Sequence, residues 1–343
     1  MQILSFSKNR TNVIKGVAIL MMIWLHGFES SNYSGYTSLI WIAGRPLASW
    51  LHDACNPVGL FMVVSGYGMF FSYLKAKKEG RTVIKWQHSL SRIIRLYVPF
   101  WIATLLATCI VRPETVVGKL TDIPMLIANM TAYNPTYNIV GWYIAPFVLT
   151  SLFIDRIFKW FEKYEVAILI FGLLYYYGIA KLYGLAYDRI VEIQWLLILC
   201  RTSEFFLPMM LGASAAKHSS IDFKRIKTQK AATIISSIAV ILMFAYSSWK
   251  GIPAYPIYCA LLILLILLIA NARISKYSEK VFAFLGAHSM NIWFIHGYFF
   301  PWAFVAQYPQ LILIADVIMS VALSYLVNFI SIPIVAHLTP KKS

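Results

Sequence analysis

Lys15 and His26 stand eleven positions apart in "IKGVAILMMIWLHGFES", residues 14 to 30, a run that is otherwise almost wholly apolar. On an α-helix eleven residues advance about 1100°, within about 20° of three full turns, and rise about 16 Å. Both side chains therefore fall on one face. An imidazole titrates near neutrality and can take a proton from a hydroxyl, which is general-base chemistry. Lys15, at the mouth of the run, can stay hydrated and meet phosphates. His26 lies well inside, at a depth where an ionisable group is costly and faces protein rather than lipid. The plainer account of His26 is a histidine hydrogen-bonded to a neighbouring helix.

Other polar groups reach a similar level. At 1.5 Å per residue, His26 lies about 20 Å, Ser65 about 15 Å and His296 about 22 Å from the basic end of its own apolar run. Arg201, midway along another run, has Glu204 one turn away as an ion-pair partner. An enclosed polar layer is the simplest account. Each group also has a structural reading: Ser65 with Gly66 as a close-packing site, His296 as a lone structural histidine, and Arg201 with Glu204 as a pair that knits helices together.

The elements that must position these groups are membrane spans. The 343 residues are 59% hydrophobic and 13% charged, too apolar for a soluble domain of this size. The fold class expected is an all-α polytopic membrane protein with about ten transmembrane helices in one bundle. The spans are placed at roughly 13–30, 55–74, 94–111, 139–155, 165–184, 192–214, 231–248, 255–271, 281–304 and 311–335. With the N-terminus cytoplasmic, the inner segments carry 23 Lys and Arg and the outer ones 6. That asymmetry puts both termini in the cytoplasm. The net charge of +16 is thus read as a topological signal and an attraction to membrane lipids, not as nucleic-acid binding. Cys55, Cys109, Cys200 and Cys259 are scattered singly, with no CxxC or Cys/His spacing, so no metal is expected. No small-x-small cleavage site follows the first run, which is read as a retained span. Without a repeat or a long linker, residues 1–343 are expected to form a single integral-membrane domain with no appended soluble domain.

Five stretches, in order along nearly the whole chain, resemble the membrane acyltransferase-3 family. Its first helix carries a basic residue, ten intervening residues and a histidine, matched here by Lys15 and His26. "GLFMVVSGYGMFF" (59–71) is similar to its Phe-rich second span ending in Ser-Gly, and "RIIRLYVPFW" (92–101) to its Arg-x-x-Arg followed by Tyr, Pro and an aromatic. "GWYIAPF" (141–147) resembles its Trp-aromatic-aliphatic segment, and "FLGAHSMNIWFIHGYF" (284–299) its closing Leu-Gly-x-x-Ser span with a histidine. The chain departs in having Gly59 where the family often has Asp, in staying apolar through Phe153 where some branches have Glu, and in having Lys rather than Arg at position 15. A carboxylate partner for His26 is not evident.

The resemblance implies an O-acyltransferase of the bacterial inner membrane. It moves an acyl group, most often acetyl, from cytoplasmic acetyl-CoA to a hydroxyl of a cell-envelope polysaccharide or a lipid-linked sugar. On this reading His26 is the general base, with Ser65 and His296 as further catalytic candidates. Lys15, Arg92 and Arg95 hold the donor's phosphates, Arg92 and Arg95 being one turn apart so that both forks address one phosphate. Trp142, Arg201, Glu204 and Asp53 contact the acceptor. Positive-inside charge accounts equally for the basic pair, and an interfacial belt for Trp142. A covalent acyl-histidine relay is a less economical route. The oligomeric state, a homo-oligomer included, stays open.

The rival class is a transporter or flippase for a glycan or small metabolite, which also uses many spans and buried charges. Against it stand the lack of an inverted repeat or paired broken helices, and an inner basic cluster with no outer counterpart.

Overall fold

Hydrocarbon offers the backbone no hydrogen-bond partners, so apolar runs of span length fold as helices. The computed structural model describes residues 6–28, 35–81, 86–111, 122–219, 229–250, 255–271 and 276–339. Its helices are α1 (Lys8–Gly27), α2 (Leu47–Ala54), α3 (Pro57–Lys78), α4 (Trp86–Val111), α5 (Ile123–Met130), α6 (Ile144–Glu192), α7 (Gln194–Arg201), α8 (Ser203–Lys217), α9 (Gln229–Lys250), α10 (Tyr255–Asn271), α11 (Lys276–Ala303) and α12 (Pro309–Leu338). Among the described residues, five helical stretches are long and apolar enough to cross a membrane: Leu47–Lys78, Gln87–Ile110, Ile139–Glu192, Gln194–Lys217 and Pro309–Leu338. The protein is a helical, multi-pass membrane protein. Parts of the expected inner basic segments, at 82–85, 220–228 and 272–275, lie outside the described residues.

One expected loop is helical instead. Residues 156–163 continue α6 because Ile154, Phe158 and Phe161 recur at helical spacing and are fully buried. Phe158 and Phe161 set their edges against Phe70 at centroid distances of 5.0 and 5.6 Å. The separation between the two apolar halves shrinks to a break at Tyr164 (φ −123°, ψ 43°). Carboxylates on either side of that break are latched to different helices. Glu162 accepts from Tyr73 Oη at 2.9 Å and Lys77 Nζ at 2.8 Å of α3. Glu165 accepts from Ser214 Oγ at 2.5 Å and pairs with Lys217 Nζ at 2.8 Å of α8.

The chain forms two compact units, residues 1–18, 56–84 and 152–287 in the first and 19–55, 85–151 and 288–343 in the second. In the first, α3 and α8 meet backbone to backbone. A Cβ at Gly66 would overlap the Met209 carbonyl, and one at Gly212 the Val63 carbonyl. The N-terminal parts of α1 and α11 repeat the device, since a Cβ at Gly16 would overlap the Phe282 carbonyl and one at Gly286 that of Asn12. The Ser-Gly and Leu-Gly fragments of the sequence thus owe their glycines to close helix approach.

In the second unit α4 packs on α12, and Gly27 at the end of α1 brings its backbone to the Phe300 ring of α11. Between α1 and α3 a short hairpin pairs Trp41–Ile42 with Arg45–Pro46. Ala43 (φ 50°) and Gly44 (φ 74°) form its turn, both in the left-handed region that suits tight hairpins.

Candidate active site

The C-terminal parts of α1 and α11, both in the second unit, bring His26 and His296 together. Nδ1 of His26 lies 2.7 Å from Nε2 of His296, with ring centroids 5.0 Å apart and planes within 8° of parallel, so the two imidazoles meet edge to edge. His296 is fully buried and His26 half-buried. The edge of Phe300 closes one side of His296 at 5.7 Å.

The hydrogen-bond partners assign the protons. Nδ1 of His296 sits 2.8 Å from the Trp293 carbonyl and 3.1 Å from that of Ile292. Carbonyls only accept, so Nδ1 of His296 carries hydrogen and donates. In a neutral ring its Nε2 is then an acceptor, and His26 Nδ1–H must be the donor across the 2.7 Å bond. That leaves Nε2 as the basic nitrogen of His26. The fully buried imidazole fixes the tautomer and aim of the half-buried one.

A second set of contacts holds the Trp motif against α11. The motif opens in a 3-10 turn, Ile139–Tyr143, where a Cβ at Gly141 would approach the Phe100 ring to 2.7 Å. Asn138, buried before this turn, donates from Nδ2 to the Phe294 carbonyl at 2.9 Å and to Thr104 Oγ1 at 2.9 Å. Tyr298 Oη donates to the Tyr137 carbonyl at 2.6 Å, and Tyr143 packs on Trp293 at 4.2 Å. Trp142 is therefore half-buried on a turn clamped to the helix that carries His296. Asn138→Ala leaves the Phe294 carbonyl without its side-chain donor. It should cost about 1–3 kcal/mol, seen as a lower midpoint in thermal unfolding of the detergent-solubilised protein.

The other candidates fall as follows. Arg92 and Arg95 sit one turn apart on α4, with Arg92 Nη1 donating to the Ser151 carbonyl at 3.4 Å and Arg95 exposed. Asp53 is engaged by protein groups, with Arg45 Nη1 at 2.6 Å and His52 Nδ1 at 3.0 Å, while Arg45 is braced on Ser49 Oγ at 2.7 Å. Lys15, Ser65, Arg201 and Glu204 belong to the first unit. There Ser65 and Lys15 are half-buried, and Arg201 at the end of α7 acts electrostatically on Glu204 in the first turn of α8.

Sequence reasoning missed a polar seam between α11 and α12. His288 Nδ1 lies 2.9 Å from Ser324 Oγ, and Asn291 Nδ2 donates to Asn328 Oδ1 at 2.8 Å. Further along α12, fully buried Asp316 accepts from Ser320 Oγ at 2.8 Å. The signal was present as polar residues four apart at 316, 320, 324 and 328 in an apolar helix.

The family model described as an acyltransferase domain matches residues 9–332, nearly the whole chain. The chain belongs to the membrane acyltransferase-3 family. Membership makes it a membrane acyltransferase that needs an acyl donor and an acceptor, and favours the enzyme over the carrier. Among curated proteins and solved structures nothing matches.

Proposed function

We propose that this acyltransferase-3 protein transfers an acetyl group from cytoplasmic acetyl-CoA to a hydroxyl of a bacterial envelope glycan. It does so as a single membrane domain of ten spans with both termini cytoplasmic. The observation that carries the chemistry is the His26–His296 pair with its proton order. A neutral imidazole whose tautomer is held by a buried partner is suited to general-base work.

The donor is a substrate and supplies an acyl carbon activated as a thioester. Nε2 of His26 takes the proton as the acceptor O–H bond breaks and the oxygen bonds to the acyl carbon. The C–S bond then breaks, and His26 returns the proton to the departing sulfur. His296 is a positioning residue: it is fully buried and acts through His26. Arg92 and Arg95 suit the donor's phosphates because two guanidinium forks one turn apart can share one phosphate. Lys15 adds a cation at the mouth of α1.

Labelled acetyl-CoA added to the reconstituted protein tests this. Thioester release, as transfer or slow hydrolysis, is expected. Replacing Arg92 and Arg95 together by Ala should raise KM for acetyl-CoA about tenfold or more with kcat little changed. Saturable glycan uptake with no thioester release would overturn the reading.

A further inference from the structure

The first unit contains a cavity of about 350 Å3, within the usual range for small-ligand sites. Tyr176, Ile179, Ala180 and Tyr183 of α6 form one wall, Ser203, Glu204 and Pro208 of α8 another, and Asn56, Val58 and Gly59 at the start of α3 a third. Tyr176 and Tyr183 are two turns apart, so their rings line the same helix face.

Polar groups here are left over by the fold. Asn56 is nine-tenths buried, and its Oδ1 caps α3 by accepting from Gly59 N at 3.2 Å. Its Nδ2 has no hydrogen-bond partner among the described residues, and neither does the buried Oη of Tyr183. Buried donors are normally satisfied, so two around one cavity mark a ligand's place. Pro208 has no N–H, so the helical bond to the Glu204 carbonyl cannot form. The Glu204 carboxylate adds two acceptor oxygens and Ser203 a hydroxyl.

This lining selects a chemical class. An anion would meet the Glu204 carboxylate, and none of the lining side chains is basic. A simple cation would leave the Asn56 and Tyr183 donors unused. A hydroxyl both donates and accepts, and a sugar ring also presents C–H faces to aromatic walls. We propose that this cavity binds one neutral pyranose ring. Sugar binding here does not rest on the acyl-transfer reading.

Saturation-transfer NMR on the full-length protein in nanodiscs, with the methyl glycosides of glucose, galactose, mannose and N-acetylglucosamine, tests the proposal. At least one should bind saturably. Tyr183→Phe should weaken it about three- to tenfold, the worth of one neutral hydrogen bond, with an unchanged melting temperature because that hydroxyl has no hydrogen-bond partner among the described residues. Ala180→Leu, which fills the cavity, should abolish the signal. Binding by none of the four, or affinity indifferent to both variants, overturns the assignment, as does displacement by tetraethylammonium ion. Thioester release measured on the same sample separates the two readings. Glycoside binding without release sinks acyl transfer and leaves the cavity assigned; release without glycoside binding does the reverse.

Discussion

His26→Ala protein should fold normally and lose acyl transfer by about a hundred- to ten-thousandfold, the usual contribution of a positioned general base. The loss should lie in kcat, because the imidazole acts on the proton in flight and not on donor binding. His26 is half-buried at the C-terminal end of α1, so truncation there removes little packing. Thioester release and acetylated product, measured on protein with a wild-type elution profile, check this. Added imidazole should recover part of the rate. Removing the second ring separates positioning from catalysis. His296→Phe keeps an aromatic of similar size but deletes the acceptor that orders His26 Nδ1–H at 2.7 Å. We expect a loss of about tenfold, smaller than for His26, with a displaced pH–rate profile that a packing defect alone would not produce. Wild-type turnover by His26→Ala protein would remove the base from the mechanism.

The largest stability effects should come from glycines. Gly66→Ala and Gly212→Ala each drive a methyl into the backbone of the opposite helix, at Met209 and Val63. Neither α3 nor α8 can yield without parting along its length, so each substitution should cost about 3 kcal/mol, the upper end of ordinary overpacking. Gly68→Ala is the internal control. It lies on the same helix with nothing within 4 Å of its Cβ position. It should be neutral or stabilise by about 0.5–1 kcal/mol through helix propensity. Thermal unfolding of the three variants in one detergent gives the comparison.

The helices were legible because hydrocarbon permits few other backbones, and among the described residues the apolar runs are almost wholly helical, five stretches being long enough to cross a membrane. The loop expected at 156–163 was misread because its basic residues mask Phe158 and Phe161, whose burial keeps the segment helical. Pairing was harder to see. Lys15 and His26 share a helix face by arithmetic, and equal depth suggested that His26 and His296 share a layer. Depth alone does not say which helices are neighbours, so an imidazole in place of the carboxylate sought for His26 could not be foreseen. Asp53 was expected to contact the acceptor; that Arg45 and His52 engage both its oxygens was not legible, because the pairing is created by a hairpin too short to leave a periodic signal. Asn138 was invisible for the opposite reason. A single amide in a loop looks like any other until its partners, Thr104 and Phe294, are brought in from distant segments.

The interlocked glycines of α3 and α8 also bear on how the protein is made. About 130 residues separate Lys78 from Met209, and at roughly 5–20 residues per second a ribosome takes on the order of ten seconds to supply them. During that interval the groove at Gly66 faces lipid or an insertion factor, so the newborn chain must tolerate an unfilled notch until its complement leaves the exit tunnel.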